Sequence, residues 1–478
     1  MKLMKIVTML FALVVSATAC DKPVVAELNL LNTSVSVAAE GGKTDVSFKT
    51  NQNWAIHSDS DWVTTLPISG IASESSQKVT LTVAANPTTS ERTATLTVTA
   101  GDKSGQISVK QAAREETPRM TISEFRDKTP DETTWYELTG EIAGIENEEY
   151  GNFIIFDETS YVYVYGLCEK RVGKSQNDQS FAKLGLKVGD TVTMMTLRSA
   201  HGGIAEAGGT TPAYFVSKTA GEYKLGKKVA ATKAAWLELP ATDAGDKQDL
   251  LIHYFPDGQR SYSAYYDYGN FVSSWVAYPL CAGNIGSGGR TDKFCLDPLL
   301  PRSQQAYLPG TYREGNAGKF DRGHQIPSAD RLDWRVNIET FFATNMTPQV
   351  NELNAEAWAV LESKVRDWAK KSDTLYVVTG CVTQGSDKYA LDSDNKQITV
   401  PVGYYKALLR LSKGEYSANA FWFENAPDKS TSIPKTKAMS VDELEKKVGV
   451  DFFVNLDADT QKTVESVDPT QVSWWWSN

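Results

Sequence analysis

The residues best suited to chemistry cluster between positions 290 and 362. Asp321-Arg322-Gly323-His324 sets a guanidinium, a glycine and an imidazole side by side, in a chain with only 4 histidines. Arg290 precedes them; Asn345, Asn354 and Glu362 follow. A neutral imidazole with an ordinary pKa of about 6.5 is the natural proton acceptor at neutral pH. Guanidinium groups bind phosphate bidentately. An Asn amide oxygen is a hard ligand for a divalent cation, and a carboxylate beside it can orient the cation's water. Together these types supply what phosphodiester hydrolysis needs: a base for the attacking water, charge neutralisation at the phosphoryl oxygens, and help for the departing oxygen. Each also has a plainer reading: His324 in the core or at a cap, Asn345 in a turn, Asn354 capping a helix over 355–371, and Glu362 pairing with Arg366 at i,i+4. Asp321 reads better as a loop-positioning residue than as a metal ligand.

Residues 321–330, 344–349, 353–358 and 361–362, continuing through 377–380, 400–406, 444–445 and 451–453, closely resemble the DNA/RNA non-specific endonuclease family. That family has a ββα-metal active site and an Asp-Arg-Gly-His signature. The likeness covers 226–478. It implies an α+β nuclease domain in which His324 is the general base, and Arg322 and Arg290 clamp the pentavalent phosphate. It makes Asn345 a supporting residue of the site, Asn354 the ligand of Mg2+ (or Mn2+ or another divalent cation), and Glu362 an outer-shell carboxylate. DNA and RNA are the implied substrates, cut without sequence preference, since no base-reading element is evident. Two alternatives stand beside it. One is a phosphodiesterase of the same mechanism acting on nucleotides or other phosphodiesters. The other is a glycan- or polymer-binding surface lipoprotein with a relic nuclease domain, against which the intact residue set speaks. Of the other histidines, His57, His201 and His253 have no partner that signals catalysis.

Stepping outward in the chain, helical periodicity over 355–371 and 441–448, mixed with apolar strands over 374–378 and 400–411, predicts an α+β layer for residues 226–478. Residues 28–112 alternate apolar and polar between turns, which predicts an all-β, Ig-like sandwich. The residues Asn53-Trp54, Asp61-Trp62-Val63, 86–94 and Val109-Lys110-Gln111 resemble a BACON domain, a resemblance that implies glycan or mucin contact. Trp54 and Trp62 read better as core than as sugar-stacking surface. Residues 116–225 are also strand-rich, and 137–142, 153–157 and 162–167 resemble an OB-fold barrel. There Tyr161, Tyr163 and Tyr165 would form a stacking platform for nucleic acid. The net charge of −6 over 113–225 opposes that role and favours an accessory scaffold.

The N-terminus reads as an address. Two Lys within 1–5, an apolar run over 6–15 and small residues up to Ala19 form a signal peptide over 1–19, with a tether over 20–27. Cys20 ends what resembles a bacterial lipoprotein box, although Ala17 stands where Leu is usual. Acylation of Cys20 would anchor the chain to the membrane of a bacterial cell envelope. Export implies an oxidising compartment, in which Cys281 and Cys295 are the pair best spaced for a bridge; free buried thiols are the alternative for these and for Cys168 and Cys381. The 478 residues carry 49 Lys+Arg against 59 Asp+Glu, a net charge of −10. Ordinary globular composition excludes wholesale disorder, and mean hydropathy of −0.34 excludes a polytopic membrane protein. The Cys and His spacing excludes zinc modules, and the acidic balance argues against a basic nucleic-acid coat.

Overall fold

The computed structural model describes residues 25–114, 119–174, 177–232, 234–242 and 247–476. The predicted signal peptide and Cys20 lie outside them. The chain divides into two compact units, residues 1–117 and 118–478.

In the first unit, two sheets share one core. Strands Leu28–Leu30, Gly42–Thr50, Ser73–Val83 and Val63–Leu66 form a four-stranded sheet; Ser34–Val37, Lys103–Gln111, Arg92–Ala100, Trp54–Ser58 and Ser69–Gly70 form a five-stranded one. Alternation does the folding. Along Arg92–Ala100, Ala94, Leu96, Val98 and Ala100 are buried while their neighbours face outward. Trp54 is buried edge-on to Phe48, and Trp62 packs at the edge of this core beneath the Arg92 guanidinium, 4.2 Å from the ring centroid. Both tryptophans therefore have packing roles.

The second unit begins with a closed barrel in the order Asp131–Asn147, Asn152–Phe156, Tyr161–Cys168, Ile204–Thr219, Thr191–His201. Only the Tyr161–Cys168 pairing with Ile204–Thr219 is parallel. Leu138, Ile142, Phe153, Val164, Val192 and Met194 fill it. An eight-stranded sheet then starts at Gly226, with its strands running Gly226–Val229, Gln248–Tyr254, Arg260–Asp267, Val272–Leu280, Thr374–Val382, Gly403–Ser412, Glu415–Glu424 and Ala438–Met439. One face, with Val377, Leu408 and Phe421, packs on Leu361, Val365 and Trp368 of the helix Ala359–Lys370. The other face, with Val378, Ala407 and Leu409, packs on Val441 and Leu444 of the helix Val441–Val448.

Barrel and sheet belong to one compact unit because they share an apolar seam. Ile154 and Tyr163 of the barrel are buried with Cys295, Ile338 and Phe342 of the sheet domain. Tyr161 stacks on Trp334 at 5.5 Å, and the Leu296 N–H donates to Ile145 O at 3.1 Å. Two of the three tyrosines expected to form a stacking platform are thus spent on packing. Tyr165 alone of them is well exposed, at 43%.

The seam also bears on the two cysteine readings, of which free thiols are the one observed. All four described cysteines are free. Cys295 is buried against Gly144, where an added Cβ would lie 2.9 Å from its Sγ, while Cys281 Sγ donates to Asn284 Oδ1 at 3.1 Å. The two thiols are committed to different surroundings.

A correction concerns the helix predicted over 355–371. It opens with a π-helical turn, Leu353–Trp358, before the α-helix Ala359–Lys370. The Asn354 N–H already donates to Val350 O at 2.9 Å, so Asn354 sits inside the first turn and does not cap it. Such wide turns re-aim side chains and recur at functional sites.

Candidate active site

The Asp321–His324 strand pairs antiparallel with Met346–Gln349, setting Gly323 opposite Thr347 and His324 opposite Met346. The approach is too close for a side chain at 323. A Cβ there would sit 2.7 Å from Gln349 Cβ, so the signature requires its glycine. Asn345 secures the following loop from a fully buried position. Its Oδ1 accepts from the Ile326 N–H at 2.9 Å, and its Nδ2 donates to Ile326 O and Thr340 O at 3.0 and 2.7 Å. Each of these bonds goes to backbone, which makes Asn345 a positioning residue rather than one at the reacting atoms.

His324 lies edge-on to Phe341, with ring centroids 4.9 Å apart, and to Phe294 at 5.9 Å. Burial above all, then the Arg290 and Arg322 charges, push its pKa down to about 3, opposed by a hydrogen bond with the Arg322 backbone. The imidazole is therefore neutral at neutral pH, and its Nε2 has no hydrogen-bond partner. An unprotonated imidazole with a free Nε2 is able to accept a proton.

Arg322 is gripped by neutral groups. Its Nη1 donates to Leu308 O and Gly310 O at 3.1 and 3.2 Å, and its guanidinium carbon lies 3.3 Å from the Phe294 ring centroid. Arg290 is half-exposed; its Nε donates to Asp292 Oδ1 at 3.1 Å, and its guanidinium carbon lies 4.8 Å from the Phe341 centroid. The charge of Arg290 acts on His324, on Arg322 and on Glu362. These four groups share one electrostatic neighbourhood.

Asn354 Nδ2 donates to Asp321 Oδ2 at 2.9 Å, and Asn351 Nδ2 reaches the same oxygen at 2.9 Å. With its nitrogen pinned, the Asn354 amide presents Oδ1 as an acceptor, the hard oxygen donor that a Mg2+-class cation takes. Asp321 holds the amide in that orientation.

Glu362 is pushed up in pKa by burial, which Asp330 reinforces, while Lys406 chiefly, with Arg366 and Arg290, pulls it back. Arg366 is not its ion-pair partner. Arg366 Nη1 bonds Asp330 Oδ1 at 3.0 Å, and Asp330 Oδ2 accepts from the Tyr278 hydroxyl at 2.8 Å. Lys406 has no counterpart among the residues expected from sequence. It is fully buried, donates to Thr379 Oγ1 at 3.1 Å, and lies 4.6 Å from the Trp358 ring centroid. Its signal was a cation set among Tyr404, Tyr405, Ala407, Leu408 and Leu409 in the Gly403–Ser412 strand.

His253 also has partners that spacing did not reveal. Its Nε2 lies 3.2 Å from Asp297 Oδ2 and its Nδ1 lies 3.1 Å from the Tyr223 hydroxyl, which donates to Glu339 Oε1 at 2.7 Å. Thr344, next to Asn345, donates to Asp297 Oδ2 at 2.6 Å. This buried network ties the segment after the barrel to the strands behind the site.

The family model for DNA/RNA non-specific endonucleases matches residues 253–459, and the BACON model, for an N-terminal binding domain, matches 52–112. A nuclease of Nostoc sp. is 32% identical over 218 residues, covering 44% of this chain and 76% of that protein. A nuclease of Serratia marcescens is 31% identical over 201 residues, covering 41% and 73%. The mitochondrial endonuclease G of Caenorhabditis elegans is 26% identical over 243 residues, covering 47% and 78%.

Proposed function

The chain belongs to the DNA/RNA non-specific endonuclease family, and from that membership we propose that it hydrolyses phosphodiester bonds of DNA and RNA, without sequence preference, in a divalent-cation-dependent reaction. The observation that carries this reading is the state of His324: neutral, with Nε2 unpartnered, beside two guanidinium groups.

In this mechanism His324 takes the proton of the attacking water. Arg322, held by carbonyls, keeps its charge for the phosphoryl oxygens, and Arg290 joins it from the open side of the site. Asn354 Oδ1 would hold the divalent cation, which when bound would supply charge neutralisation for the departing oxygen. Glu362 orients water at that position, and Lys406 sustains the carboxylate form of Glu362. Asn345 and Asp321 keep the loop and the Asn354 amide in register. The chain is further proposed to be exported and anchored to the envelope membrane through acylated Cys20, with the BACON module available for glycan contact. Radiolabelled palmitate should enter the wild type and not Cys20→Ala; equal labelling would remove the anchor.

The test is incubation of the protein with plasmid DNA, with RNA and with bis-p-nitrophenyl phosphate, each with Mg2+ and with EDTA, beside His324→Ala. Mg2+-dependent cutting of both nucleic acids, lost in His324→Ala by about 10²–10⁴-fold, is the expected outcome. Cleavage of the small ester alone would indicate a phosphodiesterase. No cleavage of any substrate would overturn the enzyme reading.

A further inference from the structure

On the sheet face opposite the catalytic helix, the helices Val441–Val448 and Ala458–Glu465 bring three carboxylates together. One oxygen each from Asp442, Glu445 and Glu465 lies within 4.8 Å of the others. Asp451, on the connecting segment, adds a fourth negative charge. The charges acting on Glu465 are those of Glu445, Asp451 and Asp442, and those acting on Glu445 are Asp451 and Asp442. The leading charges acting on both are negative, and Gln461 hydrogen-bonds Glu465.

Glu465 makes the cluster more than an acidic surface. It is 4% exposed, and its Oε1 is buried with no hydrogen-bond partner. It is also the last residue of its helix, where the helix dipole adds further negative charge. A bare carboxylate oxygen in that place is costly unless something positive meets it. Meanwhile the surrounding scaffold is pinned. Glu445 Oε1 accepts from the Phe452 N–H at 2.7 Å, and Gln461 Nε2 donates to Asp451 Oδ1 and Phe452 O at 3.1 and 2.9 Å.

Oxygens around Ca2+ sit about 2.3–2.6 Å from the ion, so opposite ligands lie about 5 Å apart. The three oxygens, all within 4.8 Å of one another, fit inside that shell. An all-oxygen donor set excludes the softer transition metals, and the partial exposure of Asp442 and Glu445 leaves room for water ligands. Ca2+ tolerates such irregular, partly aqueous coordination, whereas Mg2+ demands near-ideal octahedral geometry.

We propose that Asp442, Glu445 and Glu465 hold a structural Ca2+ ion that fastens the two helices to each other, at a site separate from Asn354. The competing arrangement is a proton shared among the carboxyls, for which burial and mutual repulsion already raise Glu445 to about 7 and Glu465 to about 8.

The experiment is Ca2+ titration of EDTA-stripped protein by calorimetry and thermal melting, for the wild type, Asn354→Ala, Glu465→Gln and Asp442→Asn. The expected result is a Ca2+-binding event of equal affinity in the wild type and in Asn354→Ala. Tm should rise by about 5 °C once Ca2+ reaches ~100 times its Kd. Glu465→Gln should lose both effects; if it does not fold, Asp442→Asn should bind at least tenfold more weakly. A Tm indifferent to Ca2+ in the wild type, or Ca2+ binding unchanged in Glu465→Gln and Asp442→Asn, would overturn the proposal in favour of the shared proton. Because Asn354→Ala keeps this ion, failure here is distinguishable from failure at the active site.

Discussion

Replacing His324 by Gln separates the electrostatics of the active site from its chemistry. In the unfolded chain this imidazole titrates near 6.5, and in the folded protein at about 3. Between those values the unfolded state binds a proton that the native state refuses. Stability therefore rises with pH across that window and falls as the pH drops through it. Each pH unit is worth about 1.4 kcal/mol, so at pH 5 the wild type carries a penalty of about 2 kcal/mol that is absent at pH 8. The Gln variant keeps the size of the side chain and loses the titration.

Urea melts of both proteins at pH 8 and pH 5, followed by tryptophan fluorescence, measure the difference directly. The wild type should lose about 2 kcal/mol more than His324→Gln over that interval. Other groups titrate in both proteins and cancel. His253 is an instructive case, because Asp297 holds its pKa above the ordinary value against the opposing effect of burial. Its contribution has the opposite sign: present below 6.5 and lost as pH rises through the folded pKa. Equal losses in the two proteins would refute the reasoning, since they would mean that His324 is solvated and charges like a free imidazole.

Asn354→Ala should raise the Mg2+ concentration needed for half-maximal cleavage by at least about tenfold while leaving the circular dichroism unchanged; an unaltered Mg2+ dependence would exclude it as the ligand. Lys406→Met leaves the buried Glu362 carboxylate without its main positive neighbour. It should cost about 3–5 kcal/mol in urea melts and move the acidic limb of the pH–rate profile upward, and an unmoved limb would detach Lys406 from Glu362. Trp334→Ala removes the ring on which Tyr161 and Phe156 pack. A loss of about 1–3 kcal/mol, with faster proteolysis between barrel and sheet, is expected; unchanged proteolysis would mean the seam does not need this ring.

What was legible in the sequence was local. The Asp321–His324 signature sets a cation, a glycine and an imidazole in four consecutive residues, and its glycine admits the close approach of the Met346–Gln349 strand. The helix Val441–Val448 announces itself with a capping box from Ser440 and Glu443 and a left-handed Gly449 after it. What was hidden is long-range. Tyr161, Tyr163 and Tyr165 share a strand face by their period of two, which looks like an open platform until Trp334, Cys295 and Ile338, far along the chain, cover two of them. The spacing of Cys281 and Cys295 says nothing of where their thiols point. Asn354 reads as a cap because apolar periodicity cannot distinguish a π-helical turn from the ordinary α-helix that follows it.

Within this acidic chain, individual arginines differ in how they are paired. Arg302 is bound to Asp394, Arg260 to Glu238 and Arg366 to Asp330, so a carboxylate cancels each of those charges. Arg322 is bound instead to two carbonyl oxygens and an aromatic ring, groups that orient a guanidinium without neutralising it. Its charge stays available, preoriented, for an anion that arrives with substrate. A guanidinium that no ion pair neutralises can serve an anionic substrate even where the surface is net negative elsewhere. Electrostatic stabilisation of a phosphoryl transition state depends on charge fixed at the reacting oxygens, not on the total carried by the protein. The net charge bears on how long a polyanion stays, and the pairing of Arg322 bears on what happens to it while it is there.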